Sequence, residues 1–324
     1  MSMKKILALG LSLILLLSLL ACGSSEETAP DALRIISLKG PTTMGLVNLY
    51  AANEAGESKQ KYEVSMVTAA DEVTAALISG TADIAALPAN AAATLFNKKG
   101  GGFSVLAINT LGVLQFLENG DSIQSFEDLR GKTLVLTGKG STPEYALRHL
   151  LNAYGMEDSV QLEFKSEATE VVSYLADNAA AIAFLPQPFV TAALAQNEDL
   201  RIALDLNDEW QKLDPDSAPI TGVTVVRTDL LENNPEAIRT FLSEYKDSVA
   251  KTESDPEGTA ALIESYGIVA KAALAQKALP SCHIVCISGS DMQKELSGYL
   301  QTLFDANPDA IGGKMPADSF YYIP

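Results

Sequence analysis

At 324 residues the chain exceeds what a single core comfortably holds, so two domains or lobes are expected. With 47% hydrophobic and 20% charged residues it can bury a packed core, which excludes a disordered chain. A formal charge of -18 repels phosphate backbones and excludes nucleic acid as a partner, while only two histidines, His149 and His283, exclude a multi-histidine metal site.

The chain opens with Lys4 and Lys5 before an uncharged apolar run over 6–20. That run is shorter than the roughly 20 residues a bilayer span needs and reads as a signal peptide covering 1–21. It closes on Leu19-Leu20-Ala21-Cys22-Gly23, which resembles the lipobox of bacterial lipoproteins and predicts lipidation of Cys22. The polar stretch that follows has no apolar anchor, as a flexible tether over 22–31 would.

Beyond the tether the sequence repeats itself. Residues 34–88 laid on 132–186 without gaps coincide at Gly40 and Gly138, Leu49 and Leu147, Glu72-Val73 and Glu170-Val171, and Leu77 and Leu175. They coincide again at Ile84-Ala85-x-Leu87-Pro88 and Ile182-Ala183-x-Leu185-Pro186, so one unit is used twice. Each copy reads as strand, turn, helix, strand, helix, strand. In the first, 34–39 is a short strand, and Gly40-Pro41-Thr42-Thr43 is a turn able to cap a helix carrying Met44, Val47 and Ala51. In the second, 132–137 leads into Gly138-Lys139-Gly140-Ser141-Thr142-Pro143-Glu144, with Ser141 and Glu144 at capping-box spacing and Pro143 in the first turn. Leu147, Leu150, Leu151 and Tyr154 continue at helical spacing until Gly155. The third strands, 82–87 and 180–185, are continuously apolar, as strands covered on both faces are. The alternation predicts a mostly parallel α/β sheet in each copy.

After the second copy, 200–206 and 221–226 read as strands separated by a polar loop holding Trp210, Pro215 and Pro219. The later strand is expected to return the chain to the first lobe. Asn234-Pro235-Glu236 starts a helix with Ile238, Phe241, Leu242, Tyr245 and Val249 on one face, and Asp255-Pro256-Glu257 starts another; both are expected to pack on the first lobe. If Cys282 and Cys286 share a strand they stand about 13 Å apart, beyond the roughly 7 Å limit for a disulfide. With His283 they make a weak zinc signal that lacks a second donor cluster, and two buried apolar thiols are expected.

The lipobox, the two α/β copies, Ser125-Phe-Glu-Asp-Leu-Arg-Gly-Lys132 leading into Gly138-Lys-Gly-Ser-Thr142, and Val225-Val226-Arg227-Thr228-Asp229-Leu230-Leu231-x-x-x-Pro235 together resemble solute-binding lipoproteins of ABC importers. The branch resembled is the one that includes nitrate, aliphatic sulfonate and thiamine-precursor binders. The resemblance implies a type II periplasmic-binding-protein-like α/β fold, two lobes around a ligand cleft joined by a two-crossing hinge. Lobe one is expected over 32–115 and 222–324, and lobe two over 116–221. It further implies an extracytoplasmic protein anchored to the cell membrane through lipidated Cys22 and acting as a monomer. Its partners would be a small-molecule solute, an ABC permease and, indirectly, the permease's ATPase, with no cofactor and no catalysis.

A doubly wound sheet binds ligands beyond the carboxyl ends of its strands, which singles out 40–43, 88–90, 138–142 and 186–188. At the second of the two turns, Gly140, Ser141 and Thr142 offer hydroxyls and backbone N–H groups at a helix start, suited to an anion or polar group. Thr42 and Thr43 are the matching set. Any one such hydroxyl alone is equally a helix cap, and it is their pairing that favours a shared capping and binding role. Pro88, Asn90 and Gln187 follow the third strands, the last two offering amide donors and acceptors. Lys139 is the only cation in the four segments, so a guanidinium clamp is absent from them, and a monoanionic, zwitterionic or neutral solute is favoured over a dianion. Thr110 and Thr221 complete the candidate set, while Tyr50, Tyr145 and Trp210 are expected to serve packing. Two other classes compete. A surface lipoprotein acting as sensor or adhesion partner would share tether and fold; an enzyme on this fold would need a cleft base, which neither His149, within a helix, nor His283, outside the four segments, supplies.

Overall fold

β1 (Leu33–Leu38) starts the first sheet, and the computed structural model describes residues 31–213 and 217–324. The signal peptide, Cys22, tether residues 22–30 and Pro215 lie outside the described residues. Ala32–Pro324 form one compact unit. After β1 come a single helical turn α1 (Pro41–Met44), α2 (Val47–Glu54), β2 (Tyr62–Val67), α3 (Ala70–Ser79), β3 (Ile84–Pro88), α4 (Ala89–Lys99) and β4 (Phe103–Leu111). The single helix expected after Gly40 is thus divided, and the break falls at Gly45 and Leu46, where the chain runs close to its neighbours. A Cβ on Gly45 would lie 2.9 Å from Ile284 Cγ2 and 3.2 Å from the Tyr245 hydroxyl.

The second sheet opens with β5 (Leu114–Asn119), followed by a 3-10 turn over Phe126–Leu129. Ser125 and Asp128 close a reciprocal capping box on that turn. Then come β6 (Thr133–Leu136), α5 (Thr142–Ala153), β7 (Gln161–Phe164), α6 (Ala168–Asp177), β8 (Ile182–Pro186), α7 (Phe189–Gln196), β9 (Leu200–Asp205) and α8 (Leu206–Leu213). β10 (Ile220–Arg227) rejoins the first sheet, and α9 (Thr228–Asn233), α10 (Pro235–Ser254), α11 (Pro256–Ser265), α12 (Ala272–Ala278), β11 (Ile284–Ser288) and α13 (Gly289–Ala306) follow.

The first sheet runs β11-β4-β10-β3-β1-β2 and the second β7-β6-β8-β5-β9. The sequence repeat has its counterpart in space: α3 and α6, and likewise β3 and β8, correspond residue for residue, with Val73, Val171, Leu77 and Leu175 buried at matching positions. Within each copy the three repeated strands are parallel. The sheets as wholes are mixed, which corrects the mostly parallel expectation. β10 runs antiparallel to β3 and β4, and β5 antiparallel to β8 and β9, because each is a strand by which the chain crosses from one sheet into the other. The loop expected around Trp210 is also corrected. Leu206–Leu213 form a helix, in which Trp210 is fully buried and donates its Nε1–H to Ser217 Oγ at 3.0 Å.

The long helix α10 packs Phe241 and Tyr245 into the cluster that holds Leu33, Ile35 and Ile84 of the first sheet. α13 carries Met292, Leu296, Tyr299, Leu300 and Leu303 as one buried stripe at helical spacing. That stripe meets β4 and β11 of the first sheet on one side and α5 of the second lobe on the other. Cys282 and Cys286 are both free thiols. Cys282 is buried as expected, whereas Cys286 is half-buried on the edge strand β11.

Candidate functional site

The two repeated turns close alike. Thr43 N donates to Gly40 O and Ser141 N to Gly138 O, each at 3.0 Å. Gly138 sits at φ 77°, which a side chain rarely adopts, so the turn depends on glycine there. Their hydroxyls are used differently from the caps expected. Thr42 and Thr43 donate to Leu38 O at 2.8 and 2.6 Å, satisfying the end of β1, and no side chain caps α1. Ser141 Oγ donates to Gly138 O at 2.8 Å, and the Glu144 carboxylate reaches past Ser141 to accept from Gly140 N at 2.7 Å. The capping box expected from Ser141 and Glu144 is therefore not made, and the Gly140 N–H has its acceptor within the chain. Glu144 is held against Arg148 at 2.7 Å, so its charge is paired within α5.

Thr142 makes one of the contacts between the lobes. Buried at the first turn of α5, it donates from Oγ1 to Asn90 Oδ1 of α4 at 2.9 Å. Asn90 Nδ2 reaches Ala310 O at 3.5 Å, near the limit of a hydrogen bond. Asn90 and Gly140 also line a groove of about 480 Å³ with Thr74, Lys98, Tyr145 and Asp309. A larger depression of about 670 Å³ runs along β9 and α8 on lobe two, but none of its lining residues comes from the strand-end turns.

The other candidates fall into two neighbourhoods. Gln187 is buried in a hinge network: its Nε2 donates to Gln115 Oε1 at 3.0 Å and its Oε1 accepts from Thr191 Oγ1 at 2.8 Å. Gln115 in turn donates to Asp205 Oδ2 at 2.7 Å, Asp205 Oδ1 accepts from Asn207 Nδ2 at 2.9 Å, and Asn207 Nδ2 donates to Gly112 O at 3.1 Å. Thr110 donates to Asn109 Oδ1 at 2.9 Å, and Asn109 Nδ2 donates to Thr224 Oγ1 at 3.2 Å. Gly222 lies against both Asn109 and Thr42, facing Pro88 across β3, with half-buried Thr221 beside it. Lys139 stands exposed at the rim, its ammonium 5.9 Å from the Phe164 ring centroid.

Sequence reasoning passed over Asn109, Gln115, Asp205 and Asn207, which carry the polar networks at the crossings. Asp205-x-Asn207 after a strand is an Asx-turn signal that can be read from sequence. His283 is tied to the hinge as well, its Nδ1–H donating to Gly112 O at 2.6 Å, while His149 packs its ring 4.5 Å from Trp210. Among the described residues no group of three metal-ligating side chains is placed together.

A family model described as NMT1/THI5 like matches residues 48–259. No curated protein matches the chain. Among solved structures, the chain is similar to an ABC transporter protein from Parabacteroides distasonis at 24% identity and TM-score 0.76, covering 90% of this chain and 99% of that one. It is similar to the periplasmic aliphatic sulphonate binding protein SsuA from Escherichia coli at 18% identity and TM-score 0.74, covering 91% and 93%. The alkanesulfonate-binding protein SsuA from Xanthomonas axonopodis pv. citri, bound to MOPS, is similar at 15% identity and TM-score 0.68, covering 92% and 100%. At these identities the likeness establishes the fold: two α/β lobes of the type II periplasmic-binding kind.

Proposed function

The chain belongs to the NMT1/THI5-like family, and from that premise we propose that it is an extracytoplasmic solute-binding lipoprotein of an ABC importer. In this reading residues 1–21 direct export, Cys22 carries the lipid, and 22–31 tether a lobe over 32–115 and 222–324 and a second over 116–221. A small polar or monoanionic solute of the alkanesulfonate kind is held between the lobes and passed unchanged to a permease. The observation that carries this reading is the bond from Thr142 to Asn90, which ties two predicted site residues together across the lobes, one after the third strand of the first copy and the other after the first strand of the second. Supporting it are the buried hydroxyl and amide side chains around the crossings, which suit a neutral or singly charged polar solute, and the absence of arginine from the four strand-end segments. Closure then stabilises the bound state by the difference between the solute's affinities for closed and open forms.

Thermal unfolding of the full chain against alkanesulfonates including MOPS, nitrate, pyrimidine vitamin precursors and amino acids tests this. A solute at about 100 times its dissociation constant adds roughly 2.7 kcal/mol, which raises the midpoint by several degrees. A saturable rise, with the solute recovered unchanged, is expected from the sulfonates. A well-folded protein whose midpoint no member of the panel moves would sink the proposal.

A further inference from the structure

A further cavity of about 510 Å³ opens on lobe one, with none of the four strand-end segments in its wall. Its apolar wall includes Leu111, Leu279, Pro280, Ile284 and Val285, and its two titratable lining residues are Glu253, on α10, and His283, just before β11. His283 is tightly constrained. Its backbone stands at φ 43°, the one positive value outside glycine among the described residues, and its ring donates Nδ1–H to Gly112 O at 2.6 Å. A side chain in the left-handed region carries a cost and persists where its surroundings fix it. Because a carbonyl only accepts, the bond to Gly112 places a proton on Nδ1 and leaves the neutral ring a lone pair at Nε2. Among the described residues no group bonds to that Nε2, and His283 is half-buried in the cavity wall. The Glu253 carboxylate likewise has no ion pair or hydrogen bond among the described residues. Thr252, the other polar side chain of the lining, spends its hydroxyl hydrogen on Val249 O at 2.8 Å. The side chains of this cavity thus offer two acceptors, one of them charged, and no free donor.

We propose that the cavity binds a small organic cation, a primary ammonium bearing a short alkyl group. Three N–H donors on one nitrogen match the Nε2 lone pair and the Glu253 carboxylate, the opposite charges attract, and the alkyl group covers Leu279 and Ile284. An anion of the sulfonate kind meets acceptors and a like charge here. The site is therefore separate from the one proposed for the solute, and the inference does not rest on that reading.

The full chain has only two histidines, so its NMR spectrum holds two sets of imidazole signals, and His283→Asn, which tolerates the same backbone, tells them apart. Titration with butylammonium chloride at pH 8, where a primary amine is protonated, is expected to move the His283 signals saturably and leave those of His149 in place. Sodium butyrate at the same concentrations is expected to move neither. Glu253→Gln, a change at an exposed position, should leave the melting midpoint unaltered and weaken butylammonium binding about fivefold, as loss of one partly exposed charge pair does. His283 signals that fail to move saturably, or that butyrate moves as readily, would overturn the inference, as would equal affinity in Glu253→Gln and the unaltered protein. Failure of the chain to bind any sulfonate leaves each of these outcomes readable.

Discussion

Gly112→Ala should destabilise the protein by about 3 kcal/mol, because the two inter-lobe crossings touch at this residue. A Cβ built there overlaps Asn207 Oδ1 and lies 2.7 Å from Pro219 Cγ. Asn207 can swing aside, but in doing so it gives up its bonds to Gly112 O and Asp205 Oδ1, each worth about 1 kcal/mol. Pro219 has less freedom, since the next residue, Ile220, is already paired with Leu111 in the ladder between β10 and β4. Forcing one extra methyl into such a contact costs about 1–3 kcal/mol. With a urea m-value of about 3 kcal/mol/M the unfolding midpoint should fall by roughly 1 M. Asn207→Ala serves as the control: it loses the same bonds without the overlap and should cost about 2 kcal/mol. The double variant should be less destabilised than the sum of the two, because the collision partner is gone. A midpoint for Gly112→Ala within about 0.2 M of the unaltered protein would refute the claim that the crossings are packed against one another.

Two further outcomes follow from charge and burial. Glu118 is buried, which by itself would raise its pKa, yet the Ser122 hydroxyl, the Ile123 N–H and the Arg201 guanidinium together hold its carboxyl below the usual value. A depressed folded-state pKa contributes stability above the unfolded value of about 4.3, and that contribution is lost as pH falls through the folded value. Glu118→Gln should therefore cost about 2 kcal/mol at pH 7, less than for a fully buried pair because Arg201 is 34% exposed. The gap from the unaltered protein should narrow below pH 4, and urea midpoints that differ equally at pH 7 and pH 3.5 would contradict it. Burial pushes the Cys282 thiol up to about 12 and the Cys286 thiol up to about 11. At pH 8 no more than about one Cys286 in a thousand is then thiolate, so peptides containing either cysteine should resist iodoacetamide in the native protein and react after unfolding. Rapid native labelling, read by mass spectrometry, would show that β11 is open to solvent.

What the sequence discloses is whatever repeats or alternates. Ile84-Ala85-x-Leu87-Pro88 and its twin are strands because continuous apolar runs bounded by a proline suit a sheet covered on both faces, and they stand in register in both lobes. β5 is absent from that reading because Leu114, Phe116 and Leu117 are all buried, so neither alternation nor a repeat partner marks the strand. The helix around Trp210 is masked by Pro215, Pro219 and a polar composition, although its buried face is set by Leu206 and Trp210 at helical spacing. The candidate turns were legible as turns, but the destination of each hydroxyl was not. Whether Thr43 bonds to Leu38 O or to a solute depends on where a carbonyl five residues back points, which spacing does not encode.

The two copies have diverged in the use of equivalent groups, and the divergence assigns the work. In the first turn both threonine hydroxyls are consumed by Leu38 O, so that turn serves the end of β1. In the second, Ser141 takes over the internal role toward Gly138 O, and this releases Thr142, one residue further on, to reach across to Asn90. Asn90 itself follows the third strand of the first copy, so each lobe gives one side chain to the contact, from non-equivalent places. Gln187, which follows the third strand of the second copy, is instead held by Gln115 and Thr191 and linked through Asp205 and Asn207 to the crossing at Gly112. One copy's strand end thus bonds across to the other lobe while the other's is wired into the hinge. If the proposed site is right, a solute that displaces Asn90 from Thr142 exchanges a contact within the protein for one to the solute, and lobe closure gains only the difference between the two.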